Sequence, residues 1–156
     1  MPSPDWDLFE NLPRQGVDAL LALASPLSIR EGEGLFDIGD DANGVFLVET
    51  GQVRLTLPIS IGDRQVPVMV GERGPGHMVG WSGLIPPHRF TVQAFAVSET
   101  EVLSLPRRSV LALFDERPDL GYSVYLNLAR IVGQRLQVFQ TMWIREMQHV
   151  VKSKTA

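Results

Sequence analysis

The chain contains no cysteine. That one absence removes disulfides, thiolate nucleophiles, iron–sulfur clusters and cysteine-based zinc sites together. Long hydrophobic runs are also missing, the longest falling far short of the roughly 20 residues that a bilayer-spanning helix requires. Basic residues are outnumbered, 14 Lys and Arg against 18 Asp and Glu, for a net charge of −4. A general nucleic-acid binder needs clustered cations to neutralise phosphates, so that class is disfavoured. Histidine is scarce: His77, His88 and His149 are scattered, with no His-x-His or His-x-x-x-His spacing. A metal-dependent β-barrel enzyme therefore lacks its ligand set. Ser82, in Gly80-Trp-Ser-Gly-Leu84, lacks the glycine pair that flanks the serine of a nucleophile elbow. The acidic, proline-broken start, MPSPDWDLFE, is unlike a secretory leader, and a cytoplasmic, non-membrane, non-enzymatic protein is expected.

What is present suits one folded domain over 1–156, with 44% apolar and 21% charged residues. Residues 1–26 read as an N-terminal helical segment. Leu12, Leu20, Leu21 and Leu23 supply its apolar face, and Ser25-Pro26 breaks it. From 27 to 106 the pattern changes to short strands separated by Gly and Asn turns. Val45-Phe-Leu-Val48 reads as a buried strand. Val53, Leu55 and Leu57, and then Val66, Val68 and Val70, alternate with polar neighbours. Residues 71–76 read as a turn cluster. Many short strands at this spacing predict a mainly β fold with flanking helices: a double-stranded β-helix, or jelly roll.

Residues 107–151 return to helical periodicity, with Pro118 ending a short helix and a long one following; 152–156 form a tail. Pro106-Arg107-Arg108 reads as a solvated helix start. The long helix carries one stripe of Tyr125, Leu128, Val132, Leu136, Phe139, Trp143, Met147 and Val150. A second stripe holds Val124, Ile131, Val138 and Met142. Two stripes imply two surfaces, one facing the roll and one facing a second copy, so a homodimer through this helix is expected.

The distributed signature Gly32-Glu-Gly-Leu-Phe36, Gly39-Asp40, Gly44-Val-Phe-Leu-Val48, Gly51-Gln-Val-Arg-Leu55, Gly74-Pro-Gly-His-Met-Val-Gly80 and Glu101-Val-Leu-Ser-Leu-Pro-Arg107 carries a resemblance. The chain resembles the cyclic nucleotide-binding domains of the catabolite-regulator and FNR type over nearly its whole length. In such domains a Gly-Glu-Leu opens a short helix toward the cyclic phosphate, the glutamate takes the ribose hydroxyl, and a following arginine pairs with the phosphate.

The resemblance implies a ligand-binding set of Gly80, Trp81, Ser82, Gly83, Leu84, His88, Arg89, Phe90 and Thr91, joined from the long helix by Phe139 and Gln140. Two departures stand out. Trp81 occupies the glutamate position, and an indole has no acceptor for a hydroxyl. The arginine position falls on His88 when 91–94 are aligned, with Arg89 one residue later. A haem-bearing relative's histidine would fall on Ser82, so haem is not expected. No cofactor is therefore assigned, and cyclic AMP and cyclic GMP stand as candidate ligands. Two functions follow: a module sensing a small anion and signalling through the long helix, or a domain with a closed pocket used for dimerisation or for docking a protein partner. With the sequence ending at Ala156, no helix-turn-helix follows the long helix, and direct DNA binding is not expected.

Overall fold

The computed structural model describes residues 5–155. A 3-10 turn at Asp7–Phe9 and helix α1 (Arg14–Leu21) precede eight strands: β1 (Ser25–Ile29), β2 (Gly34–Phe36), β3 (Gly44–Thr50), β4 (Val53–Ile61), β5 (Arg64–Arg73), β6 (Met78–Val79), β7 (Gln93–Ala96) and β8 (Thr100–Pro106). Helices α2 (Arg107–Glu116) and α3 (Pro118–Thr155) follow. The strands form two four-stranded antiparallel sheets, β1-β8-β3-β6 and β2-β7-β4-β5, which is the expected jelly roll. Pro26 is tolerated because β1 is an edge strand, paired on one side only with β8.

The uninterrupted apolar run in β3 has a direct cause. Its side chains alternate between two cores. Val45 and Leu47 face the helices, packing with Leu8, Leu20, Leu105, Phe114, Leu120, Val124 and Leu128. Phe46 and Val48 face the space between the sheets, with Val53, Leu55, Val79 and Val102. A strand buried on both faces needs no polar alternation.

Three expectations change on contact with the structure. Residues 71–73 do not turn: β5 continues to Arg73 through a bulge, in which Leu55 pairs with Gly71 and Thr56 with Met69, leaving Val70 between them. Arg107 is more than solvated, since its guanidinium donates to the Ala42 carbonyl and its N–H to the Asn43 carbonyl. The tail is helical as far as Thr155, and Lys152 and Lys154 complement the carbonyl end of α3.

The stripes of α3 are also redistributed. Its first half buries Leu120, Val124, Leu128 and Ile131, drawn from both stripes and from the first turn. Beyond residue 135 the helix is no longer buried against the roll, and Leu136, Val138, Phe139, Met142, Trp143, Ile144, Met147, Val150 and Val151 are all exposed.

Asp7 ties the N-terminal segment to the stretch leading into β6. The Asp7 N–H donates to the Gly76 carbonyl at 2.9 Å. Its carboxylate accepts the Met78 N–H at 3.1 Å and lies 3.3 Å from His77 Nδ1. Burial pushes the Asp7 carboxyl above its ordinary value, with His77 and Arg135 pulling the other way. The folded state therefore holds this proton more tightly than the unfolded chain, and the stability it contributes is lost as pH rises through the raised value. Relative to the native protein, Asp7→Asn should gain melting temperature between about pH 4 and about pH 7; a constant difference across that range would contradict the assignment.

The second close approach is backbone on backbone. A Cβ on Gly83 would overlap the carbonyl of Gly44. Gly83→Ala should cost about 1–3 kcal/mol in urea unfolding, and an unchanged midpoint would show that the two segments are free to separate.

Candidate functional site

Strand β6 runs directly into the stretch singled out in the sequence. Gly80 has φ +81°, a conformation that glycine adopts freely. A Cβ there would also sit 3.1 Å from Phe90 and 3.4 Å from Phe36. These two rings stack with centroids 3.8 Å apart, and Phe46 lies 6.0 Å from Phe36. After Gly80 the chain makes one 3-10 turn, Trp81–Gly83, in place of the short helix that the family pattern implies. Three residues align too few peptide dipoles for the turn's own start to serve as an anion site.

Above this wall lies a cavity of about 800 Å³ between the β2-β7-β4-β5 sheet and α3. Phe36, Leu55, Leu57, Val70, Phe90 and Val92 line the sheet side, and Ile131, Val132, Leu136, Val138 and Phe139 line the helix side. Of the residues anticipated from sequence, the cavity brings together Gly80, Trp81, Ser82, Phe90, Thr91 and Phe139. Trp81 is half-buried and packs against the helix-side core while still facing the cavity. Ser82 is buried.

Gly83, Leu84, His88, Arg89 and Gln140 lie outside this lining. Gly83 serves the contact with Gly44. Leu84 is buried in the helix-side core, and its carbonyl accepts the Tyr125 hydroxyl at 2.9 Å. His88, at φ +59°, turns its ring onto the Ser82 carbonyl at 2.9 Å. Arg89 is paired with Asp41 across an antiparallel bridge and donates to the Gly39 carbonyl at 3.3 Å. Extended backbone alternates its faces, and since Phe90 points inward, Arg89 points out. Gln140 is exposed, on a part of α3 that extends past the roll.

The cavity's cations come instead from Arg73, Arg130 and Arg135. Arg130 is committed to Glu10 at 2.9 Å and to Asn127 at 2.6 Å. Glu72 is likewise committed, to Arg54 at 2.6 Å. Arg73 and Arg135 then share a single nearby carboxylate, Asp7. Arg135 donates to the Met78 carbonyl at 2.5 Å. Burial, reinforced by the neighbouring Arg73 charge, lowers the Arg135 guanidinium to about 10, so it remains a cation at neutral pH. Burial lowers Arg73 too. Arg135 stands four residues before Phe139 on α3. Arg73 was hidden because Gly71 reads as a turn; only the bulge keeps it on a strand.

Among the described residues no helix is long and apolar enough to cross a membrane. The profile of the cyclic nucleotide-binding domain matches residues 26–117. The cyclic AMP receptor protein of Thermus thermophilus is 30% identical over 130 residues, covering 83% of this chain and 57% of that protein. The crystal structure of the Thermus thermophilus catabolite activator protein superposes with a TM-score of 0.73 at 28% identity, over 90% of this chain and 63% of that one. A cyclic nucleotide-binding domain from Methylobacillus flagellatus shares the fold, with a TM-score of 0.76 at 19% identity over 88% and 76% of the two chains. The chain thus spans somewhat over half of its curated relative, and it belongs to the cyclic nucleotide-binding domain family, in its catabolite-regulator and FNR type.

Proposed function

We propose that this chain is a small-molecule-sensing regulatory module that binds a cyclic nucleotide or another small organic anion in the cavity and signals through α3. The observation that carries this reading is the cavity of about 800 Å³, lined on one side by the roll and on the other by α3. A ligand there touches both bodies at once, so its binding energy bears directly on how α3 sits against the roll. The lining suits a flat apolar group, with Trp81, Phe36, Phe90 and Phe139 around it and unbalanced positive charge nearby. Trp81 leaves the cavity open, which favours sensing over a closed pocket kept only for docking. On this reading the site binds, and no catalytic role is assigned to its residues. The name of the Thermus relative supports cyclic AMP as a first probe.

The distal half of α3 suits the output. Leu136, Phe139, Trp143, Met147 and Val150 advance in four steps averaging 3.5 residues, the spacing of a coiled-coil seam. An apolar helix end standing free in water is marginal by itself, and a second copy laid against it covers the same stripe on both chains.

Two measurements test the reading. At about 100 times its dissociation constant a native-state ligand adds ~2.7 kcal/mol, so saturating cyclic AMP, cyclic GMP or 1-naphthyl phosphate should raise the melting temperature by roughly 5–10 °C. An unmoved transition with all three overturns sensing at this cavity. Light scattering should find a dimer at micromolar concentration, converted to monomer by Trp143→Glu with Met147→Glu. A native monomer would refute pairing through α3.

A further inference from the structure

The side chains expected to meet a ligand's charge, His88 and Arg89, both lie outside the cavity lining, yet once the neighbouring Arg54 is counted the groups around the cavity leave one positive charge over. Three arginines, three acids and His77 line it. Two of the acids are neutralised locally, Glu10 by Arg130 and Glu72 by Arg54. The remaining carboxylate, Asp7, already accepts the Met78 N–H and faces His77. Arg73 and Arg135 are thus two partly desolvated guanidiniums with one shared and largely occupied counter-charge. Water is partly excluded from both, and an entering anion would return the interaction that burial removed.

The local structure is arranged to keep both groups at the cavity. The bulge between Leu55 and Thr56 leaves Val70 unpaired and carries Gly71 and Arg73 to the cavity side. The Arg73 guanidinium folds back over Gly71, where a Cβ would sit 3.1 Å from its Nη1. It is held there by a 2.7 Å bond to the Glu72 carbonyl. Arg135 is held from the other side by the Met78 carbonyl. One group belongs to the roll and the other to α3.

We infer that Arg73 and Arg135 form the anion subsite of the cavity, clamping the phosphate or sulfonate of an organic anion between β5 and α3, with the ligand's apolar body lying against Phe36, Phe90 and Phe139. This rests on the reading of the cavity as a ligand site and specifies where that site holds charge. The consequence is a cross-link: the anion joins the roll to the helix through two cations that otherwise repel each other. A ligand with the same body and no charge gains none of it.

The test is calorimetric titration of the full chain with 1-naphthyl phosphate, 1-naphthol and cyclic AMP, on the native protein and on Arg73→Gln, Arg135→Gln and Arg89→Gln. Far-UV circular dichroism and melting confirm that each variant is folded. Naphthyl phosphate should weaken by about tenfold or more in either Arg73→Gln or Arg135→Gln. In Arg89→Gln it should stay within about twofold, because that side chain is exposed. Naphthol should bind more weakly than naphthyl phosphate to the native protein and similarly to every variant. Arg73→Gln is the decisive variant if Arg135→Gln unfolds, since it leaves the Met78 bond in place. Binding that ignores both substitutions, or that is lost in Arg89→Gln, overturns the inference and leaves the ligand site standing. No binding of any probe to the native protein overturns the ligand site and the inference with it.

Discussion

The backbone of Met78 is the junction on which the rest of this molecule depends. Its side chain is fully buried, and its neighbours in the sheet fix it against Leu47 of β3. Its N–H is taken by Asp7 from the N-terminal segment and its carbonyl by Arg135 from α3. Three parts distant in sequence thus meet on the backbone of one residue, two residues before Gly80. Both bonds involve charged groups, which makes them stronger than neutral ones and costly to leave unmade in a buried place. Any change at Arg135 is therefore felt on the strand that leads into the cavity turn, and through Asp7 on the N-terminal segment.

That junction carries an electrostatic cost. Burial raises the Asp7 carboxyl and lowers both Arg73 and Arg135, each moving toward its neutral form. Three ionisable groups held this way are unfavourable for a fold that needs only stability, since apolar residues would pack as well without desolvation. Their position at a cavity between two bodies gives the arrangement a functional sense.

The long helix shows the same division. Its first half is a core element, with Leu120, Val124, Leu128 and Ile131 in the helix-side core and Asn127 bonded to the Leu8 and Glu10 carbonyls. Its second half has the composition of a core element and nothing of the roll to pack on. The cavity lies at the changeover, between residues 130 and 139, where the helix leaves the roll. A ligand bound there meets α3 where its packing is weakest.

Much of this was legible in the sequence, and for identifiable reasons. Strand alternation, glycine turns such as Gly80 at φ +81° and the helical period of 119–151 are local properties, written residue by residue into the chain. They pointed to the jelly roll and the order of its parts, while the place of Trp81, Phe90 and Phe139 near a pocket was implied by the family resemblance. The direction in which each side chain faces was not local. Arg89 points out because Phe90 is drawn inward onto Phe36, and Arg73 points in because a bulge opposite Leu55 adds one residue to its strand. A one-residue shift in extended chain exchanges the two faces and leaves the composition untouched. The sequence by itself therefore determined the fold and the family, whereas only the packing of the two sheets and α3 decided which arginines face the cavity.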